Sequence, residues 1–153
     1  MALFERFFLT FSLSTWTDKV AHAIPKERKT YLFDAARIHD PGTRFENLVA
    51  IELARAVTAW TAWGHGEFSL HFVRNKAQQE VDFLIARDRR PVLLIEAKLG
   101  DAAPAKALQA IQAQLQIPAV QLVQNLETFR WHNHGTQPIL VAPAAAWLAD
   151  LPV

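Results

Sequence analysis

Two apolar runs that carry acids at one end and share a charged turn constrain this chain more than any other stretch. Glu80-Val81-Asp82-Phe83-Leu84-Ile85-Ala86 and Pro91-Val92-Leu93-Leu94-Ile95-Glu96-Ala97-Lys98-Leu99 flank Arg87-Asp88-Arg89-Arg90. Runs of this length, rich in branched residues and bounded by turn residues, are the strands of a hairpin. With residues 87–91 as the turn, Ala86 pairs with Val92 and Asp82 falls opposite Glu96. Side chains alternate between faces, so Asp82 is expected beside Glu80 and Leu84, and Glu96 beside Leu94 and Lys98. Val81, Phe83, Leu93 and Ile95 then fill one face, and Leu84, Val92 and Leu94 the other. A sheet apolar on both faces is covered by helices on both sides.

The remaining elements supply those helices. Residues 3–13 read as a short helix, 17–29 as a solvated loop or hairpin, and Tyr31-Leu32-Phe33 as a short strand. After the Pro41-Gly42 turn signal, Phe45, Leu48, Val49, Leu53, Ala56, Val57 and Trp60 recur at helical period from about Thr43 to Trp60. Phe68 to Phe72 alternates as a strand, and Arg74 to Gln79 is a polar turn. An Ala- and Gln-rich helix spans 102–116, strands follow at 118–123 and 138–141, and a short helix closes at 143–149. This order predicts an α/β fold, a mixed β-sheet flanked by helices.

Bulk properties narrow the function. The 153 residues suffice for one domain with a real core, and the net charge of +1 gives no general basic surface for nucleic acid. Any such contact must come from a local patch. The absence of cysteine excludes disulfides and thiolate-bound zinc. No run approaches the roughly 20 apolar residues of a membrane span, and the N-terminus lacks a signal-peptide pattern. A soluble, cytoplasmic protein with no membrane partner is expected.

Directly opposed residues in an antiparallel pair have Cβ atoms about 5 Å apart, and like charges so placed destabilise a sheet. A divalent cation compensates them. Mg²⁺ favours one or two carboxylates together with waters and phosphate oxygens, and Lys98 stands one step away. The alternative is a solvent face on which Lys98 merely neutralises Glu96 or Glu80. Glu46 also has two readings. Its helical phase turns it towards the sheet with Leu53 and Val57, yet Thr43 three residues earlier makes a capping box. Glu52 shares the apolar arc and is expected in a structural ion pair.

Arg74 and Lys76, on the turn at the acids' end of the sheet, are the phosphate-contact candidates, against solvated turn charges. Arg87, Arg89 and Arg90 lie at the opposite end and read as solubilising. Gln109 or Lys106 is within reach of the site, though surface polarity explains them, Gln112 and Gln114 as well. His132-Asn133-His134 reads as an exposed loop rather than a metal pair. Trp60 and Trp63 are read as packing or as a partner surface.

Three segments together resemble the PD-(D/E)XK superfamily of restriction-endonuclease-like nucleases: Arg44-Phe45-Glu46-Asn47-Leu48-Val49, Glu80-Val81-Asp82-Phe83-Leu84-Ile85 and Ile95-Glu96-Ala97-Lys98. More closely, with Arg74-Asn75-Lys76 and Lys29-Thr30-Tyr31-Leu32-Phe33-Asp34, the chain looks like an uncharacterised C-terminal domain that follows an AAA-type ATPase module in many prokaryotic proteins. The resemblance implies a restriction-endonuclease-like sheet, Glu46, Asp82 and Glu96 as metal-side acids for Mg²⁺ or Mn²⁺, and Lys98 as catalytic base or charge stabiliser. It implies phosphodiester hydrolysis on DNA or, alternatively, a non-catalytic nucleic-acid-binding or regulatory module. An AAA-type ATPase module or a second copy is the implied protein partner. No nucleotide-binding Gly-x-x-x-x-Gly-Lys-Ser/Thr loop occurs here. Residues 1–34 are then expected to be a remnant of a winged-helix-like linker plus the opening strand, residues 35–153 the nuclease-like domain, and the chain to start partway through a larger architecture.

Overall fold

The computed structural model describes residues 2–16, 27–100, 103–134 and 137–152. Helix α1 (Ala2–Arg6) leads into strand β1 (Thr10–Thr15), β2 (Arg28–Leu32), a 3-10 turn at Ala35–Arg37 and the long helix α2 (Pro41–Ala62). Strands β3 (Phe68–Arg74), β4 (Glu80–Arg87) and β5 (Arg90–Lys98) follow. Helix α3 (Lys106–Leu115), β6 (Ala119–Val123), β7 (Arg130–His134), β8 (Gln137–Pro143) and α4 (Ala144–Ala149) complete the order.

The strands form one mixed sheet in the order β2-β1-β3-β4-β5-β6-β8-β7. β3, β4 and β5 are antiparallel neighbours, whereas β1 runs parallel to β3 and β5, β6 and β8 run parallel to one another. The expected mixed α/β architecture is present. One face packs Phe45, Val49 and Leu53 of α2 on Phe72, Phe83, Ile85 and Ile95. The other packs Leu108 and Ile111 of α3 on Val81, Leu84, Ala86 and Leu94. Both clusters hold fully buried side chains, as a sheet covered on two sides requires.

Several elements differ from the sequence reading. The expected helix over 3–13 stops at Arg6, and Thr10 to Thr15 is a strand instead. Phe8 has φ 55°, which breaks the helix, and Thr-Phe-Ser-Leu-Ser-Thr alternates with Leu13 buried. Residues 17–26 of the expected loop lie outside the described residues, while 28 and 29 belong to β2. Helix α2 starts at Pro41, not Thr43: Asp40 is its N-cap and its carboxylate accepts from the Thr43 N–H at 2.7 Å. Proline suits this first helical position because it has no N–H to leave unmet. Leu48, expected inside, is 47% exposed, and its place in the interface is taken by Asn47.

The hairpin turn is Asp88-Arg89 alone, both at positive φ (50° and 62°), as a two-residue turn with the twist of the strands demands. The register starts as Arg87–Arg90 and Ala86–Pro91, then continues as Ile85–Leu93 and Phe83–Ile95. Val92, not Pro91 or Ala86, is therefore the extra residue, and it is 37% exposed rather than packed.

A second irregularity matters more. Against β3 the pairing passes from His71–Leu84 to Val73–Val81, so Asp82 and Phe83 together oppose Phe72 alone. Such a bulge places two consecutive residues against one and reverses the alternation beyond it. Val81 accordingly joins Leu84 under α3 instead of Phe83 under α2. The expectation that Val81 shares a face with Phe83, and Asp82 with Leu84, is overturned for this reason.

Candidate functional site

Four elements, β2, α2, β4 and β5, build the site at the open end of the hairpin. β2 contributes Lys29 and Tyr31, which share a face because they stand two residues apart on a strand. Asn47 of α2 locks β2 in place. Its amide oxygen accepts from the Leu32 N–H at 2.8 Å, and its amide N–H donates to the Leu32 carbonyl at 2.7 Å. Asn47 is 2% exposed, so Asn47→Ala is expected to cost about 1–3 kcal/mol, the usual penalty for buried polar groups left without partners. Urea unfolding of the variant measures this.

The clamp aims the neighbouring Glu46 at β2. Its Oε1 accepts from the Tyr31 hydroxyl at 2.9 Å and lies 3.2 Å from Lys29 Nζ. With the cap at Asp40, Glu46 sits well inside α2, so the capping-box alternative does not hold. Lys29 Nζ also contacts Glu80 and lies 3.3 Å from Asp82 Oδ1. One ammonium thus bridges acids from a helix and a neighbouring part of the sheet.

Asp82 and Glu96 meet across the gap between β4 and β5. The backbone pairing of β4 with β5 ends at Phe83–Ile95, and beyond it carboxylates take over from carbonyls. The Ala97 N–H donates to Asp82 Oδ2 at 3.1 Å, and the Asp82 N–H donates to Glu96 Oε2 at 3.3 Å. The two acids converge as expected, though in this gap rather than side by side on one face. The bulge turns Asp82 towards the α2 side, while alternation puts Glu96 with Leu94 on the α3 side. Lys98 Nζ lies 2.7 Å from Glu96 Oε1.

Electrostatics follow from this crowding. Burial, then the charges of Glu96 and Glu46, push the Asp82 carboxyl up to about 7, against the pull of Lys29 and the Ala97 N–H. For Lys29, burial favours the neutral amine, but Asp82, Glu80 and Glu46 outweigh it and hold the ammonium well above the ordinary lysine range. Burial likewise opposes charge on Lys98, and the hydrogen bond and charge of Glu96, with Asp82 and Glu46 beyond, raise it nonetheless. Tyr31 is raised by burial and then by Glu46, so its phenol keeps the proton it donates. Burial works to raise Glu80, yet Lys29 and Arg74 hold it below the usual carboxylate range.

The other sequence candidates divide. Arg74 is engaged by Glu80 through two nitrogens and by Glu27 at 2.8 Å. Lys76 is exposed on the turn and makes no ion pair among the described residues. Glu52 pairs with Arg55 at 2.7 Å, as expected. Gln109 donates to the Pro104 carbonyl, and the buried Gln112 donates to the Pro138 carbonyl, so surface polarity does not explain either. Lys106 and Gln114 are exposed. His132 lies in edge strand β7 rather than in a loop. Trp60 packs on Phe68 with centroids 5.1 Å apart, and Trp63 is 56% exposed. The residue pattern puts Lys29 at the end of a solvated loop, only the family resemblance joins it to the opening strand, and neither gives it a role. The Lys-x-Tyr spacing ahead of an apolar pair was the available signal.

The donor set fits a hard divalent cation, being carboxylate oxygens with surplus negative charge at Asp82. Among the described residues, however, no three His, Cys, Asp or Glu side chains are gathered in metal-holding geometry. Lys29 stands between Glu46 and Asp82. A cleft of about 410 Å³ opens beside them, lined by Lys29, Tyr31, Ile38, Thr43, Glu46 and Asn47. A larger cleft, about 740 Å³, lies among Phe4, Phe8, Leu9, Leu32 and Phe33, away from this chemistry.

Fold and site together define a mixed α/β domain with a carboxylate and lysine cluster where two central strands part. The family described as Domain of unknown function (DUF4143) matches residues 41–143, and the chain belongs to it. No curated protein matches the chain. Among solved structures, a chain of the half-complex from the tetradecameric assembly of Thermococcus gammatolerans McrB AAA+ hexamers with bound McrC is similar, at 14% identity and a TM-score of 0.46. The match covers 67% of this chain and 28% of that one. No helix among the described residues is long and apolar enough to cross a membrane.

Proposed function

We propose that this chain is a metal-dependent phosphodiesterase of the PD-(D/E)XK, restriction-endonuclease-like kind, acting on DNA. The supporting observation is the parted end of β4 and β5, where Asp82 and Glu96 exchange hydrogen bonds with each other's strands and Lys98 joins Glu96. Asp82 and Glu96, with Glu46, are the residues to hold Mg²⁺ or Mn²⁺. A cation there supplies Lewis acidity and positive charge to a phosphodiester.

The chain's own groups do the rest. Glu96 holds Lys98 as an ammonium, so its role is a donor to phosphate oxygens rather than a base. As a water oxygen bonds to phosphorus, giving its proton to solvent, and the bridging P–O bond breaks with its electron pair on the leaving oxygen, which takes a proton from solvent, negative charge builds on the non-bridging oxygens, where such a donor is most effective. Lys76 contacts the DNA backbone from the turn, and Arg74, already paired with two acids, contributes less. Lys98→Ala is expected to lower Mn²⁺-dependent cleavage of single- or double-stranded DNA by about 10²–10³-fold while leaving Mn²⁺ binding intact. Unchanged cleavage overturns the role given to Lys98.

A second reading is a non-catalytic nucleic-acid-binding or regulatory module that partners an AAA-type ATPase, as the sequence resemblance implies. The internal pairing of Lys29, Arg74 and Lys98 favours it, because these cations are already compensated. Metal-independent DNA binding without cutting would support this second reading.

A further inference from the structure

We propose that Lys29 is a tethered counter-ion which a divalent cation has to displace from the carboxylates of Glu46 and Asp82. The inference rests on the metal-site reading above and concerns how that site is loaded.

Position comes first. Lys29 Nζ lies 3.2 Å from Glu46 Oε1 and 3.3 Å from Asp82 Oδ1, and it touches Glu80 as well. A cation shared by Glu46 and Asp82 needs the same space. On the other side, Asp82 Oδ2 is held by the Ala97 N–H, so the oxygen facing Glu46 is the one that Lys29 covers. Two positive centres at contact distance repel strongly, and both cannot keep the same two carboxylates.

The attachment of Lys29 suits departure. Its backbone is fixed by the Leu13–Lys29 pairing of β1 and β2, so withdrawing the side chain disturbs no strand. The side chain is 21% exposed, and the cleft beside it gives the ammonium a way into water. Lysine is a flexible, strongly hydrated point charge, able to leave where a forked guanidinium would hold on. Lys98 differs, being bound to Glu96 and apart from Glu46. Charge agrees: Glu27, Glu46, Glu80, Asp82 and Glu96 face Lys29, Lys98 and Arg74. The acids are in excess without a dication, and exchanging Lys29 for one reduces that excess.

The test is Mn²⁺ alone, its binding followed by the electron paramagnetic resonance of the free ion at about pH 8, where the Asp82 carboxyl is ionised. Lys29→Met is expected to bind Mn²⁺ at least about tenfold more tightly than wild type, and to gain more thermal stability from the metal. Lys29→Arg is expected to bind it more weakly, and Asp82→Ala to lose it. If wild type binds Mn²⁺ through Asp82 but Lys29→Met binds no tighter, the displacement idea fails while the metal site stands. If neither wild type nor Lys29→Met shows Asp82-dependent binding, the metal site fails and this inference falls with it. Should Lys29→Met not fold, Lys29→Arg decides: an affinity equal to wild type overturns the proposal.

Discussion

Asp82→Asn is expected to lower Mn²⁺-dependent cleavage by about 10³-fold or more and, without metal, to make the folded protein more stable at neutral and higher pH. The first effect follows from losing the charged oxygen between Glu46 and Glu96. The second follows from the same crowding. The carboxyl of Asp82 is raised from 3.8 to about 7, so between those values the folded protein binds a proton that the unfolded chain releases. Stability from this group is present below about 3.8 and is lost as pH rises to about 7.

Each unit of such a shift corresponds to about 1.4 kcal/mol, which makes the loss of the order of a few kcal/mol. Asparagine retains an oxygen for the Ala97 N–H and carries no charge, so it should not show that decline. Part of the gain is offset, because Lys29 loses one of its three acids. Urea midpoints of both proteins across about pH 4 to 8 measure the difference. Glu80 works in the opposite sense: its carboxyl is held low, so its contribution disappears as pH falls. It is common to both proteins and cancels. Parallel curves for wild type and variant would remove Asp82 from its assigned place among the acids.

Phe83→Ala is expected to cost about 3–5 kcal/mol, in the range for emptying a buried aromatic site. Phe83 is fully buried and is the last residue of β4 paired with β5 before the strands part. Its ring centroid is 6.0 Å from that of Tyr31, whose hydroxyl holds Glu46. The damage therefore extends from packing to the acids, and Mn²⁺ affinity should fall together with the urea midpoint. Leu48→Ala on the same helix as Glu46 is a suitable control. That leucine is 47% exposed, and a surface change of this kind stays within about 0.5 kcal/mol. Equal losses for the two variants would contradict the described core.

What could be read from sequence depended on how local its cause was. The β4–β5 hairpin was visible because alternation, apolar runs and a charged turn all lie within a short stretch, and the 82–96 proximity followed from counting outwards from that turn. The bulge at Asp82 was invisible, since it is defined by β3 and not by β4 itself. Strand β1 was missed because the apolar start of the chain suggested one continuous helix, while the Thr and Ser residues after Leu9 favour extended backbone. Strand β7 was hidden by the polar Trp131-His132-Asn133-His134 segment, which reads as loop without its partner β8. The cap at Asp40 lost to Thr43 because Thr43 and Glu46 have capping-box spacing, which Asp40 lacks. Lys29 was the largest omission: its role comes from long-range contacts with Glu46, Glu80 and Asp82, and the Lys-x-Tyr spacing beside it does not identify those partners.

The doubled residue in β4 also bears on how such a chain can vary. Substitutions along this strand change one position each, but losing the bulge at unchanged length would restore simple alternation and exchange the two layers beyond it. Val81 would leave its apolar shelter and an acid would enter it. The two-against-one pairing opposite Phe72 is thus a stricter inheritance than most of the side chains around it.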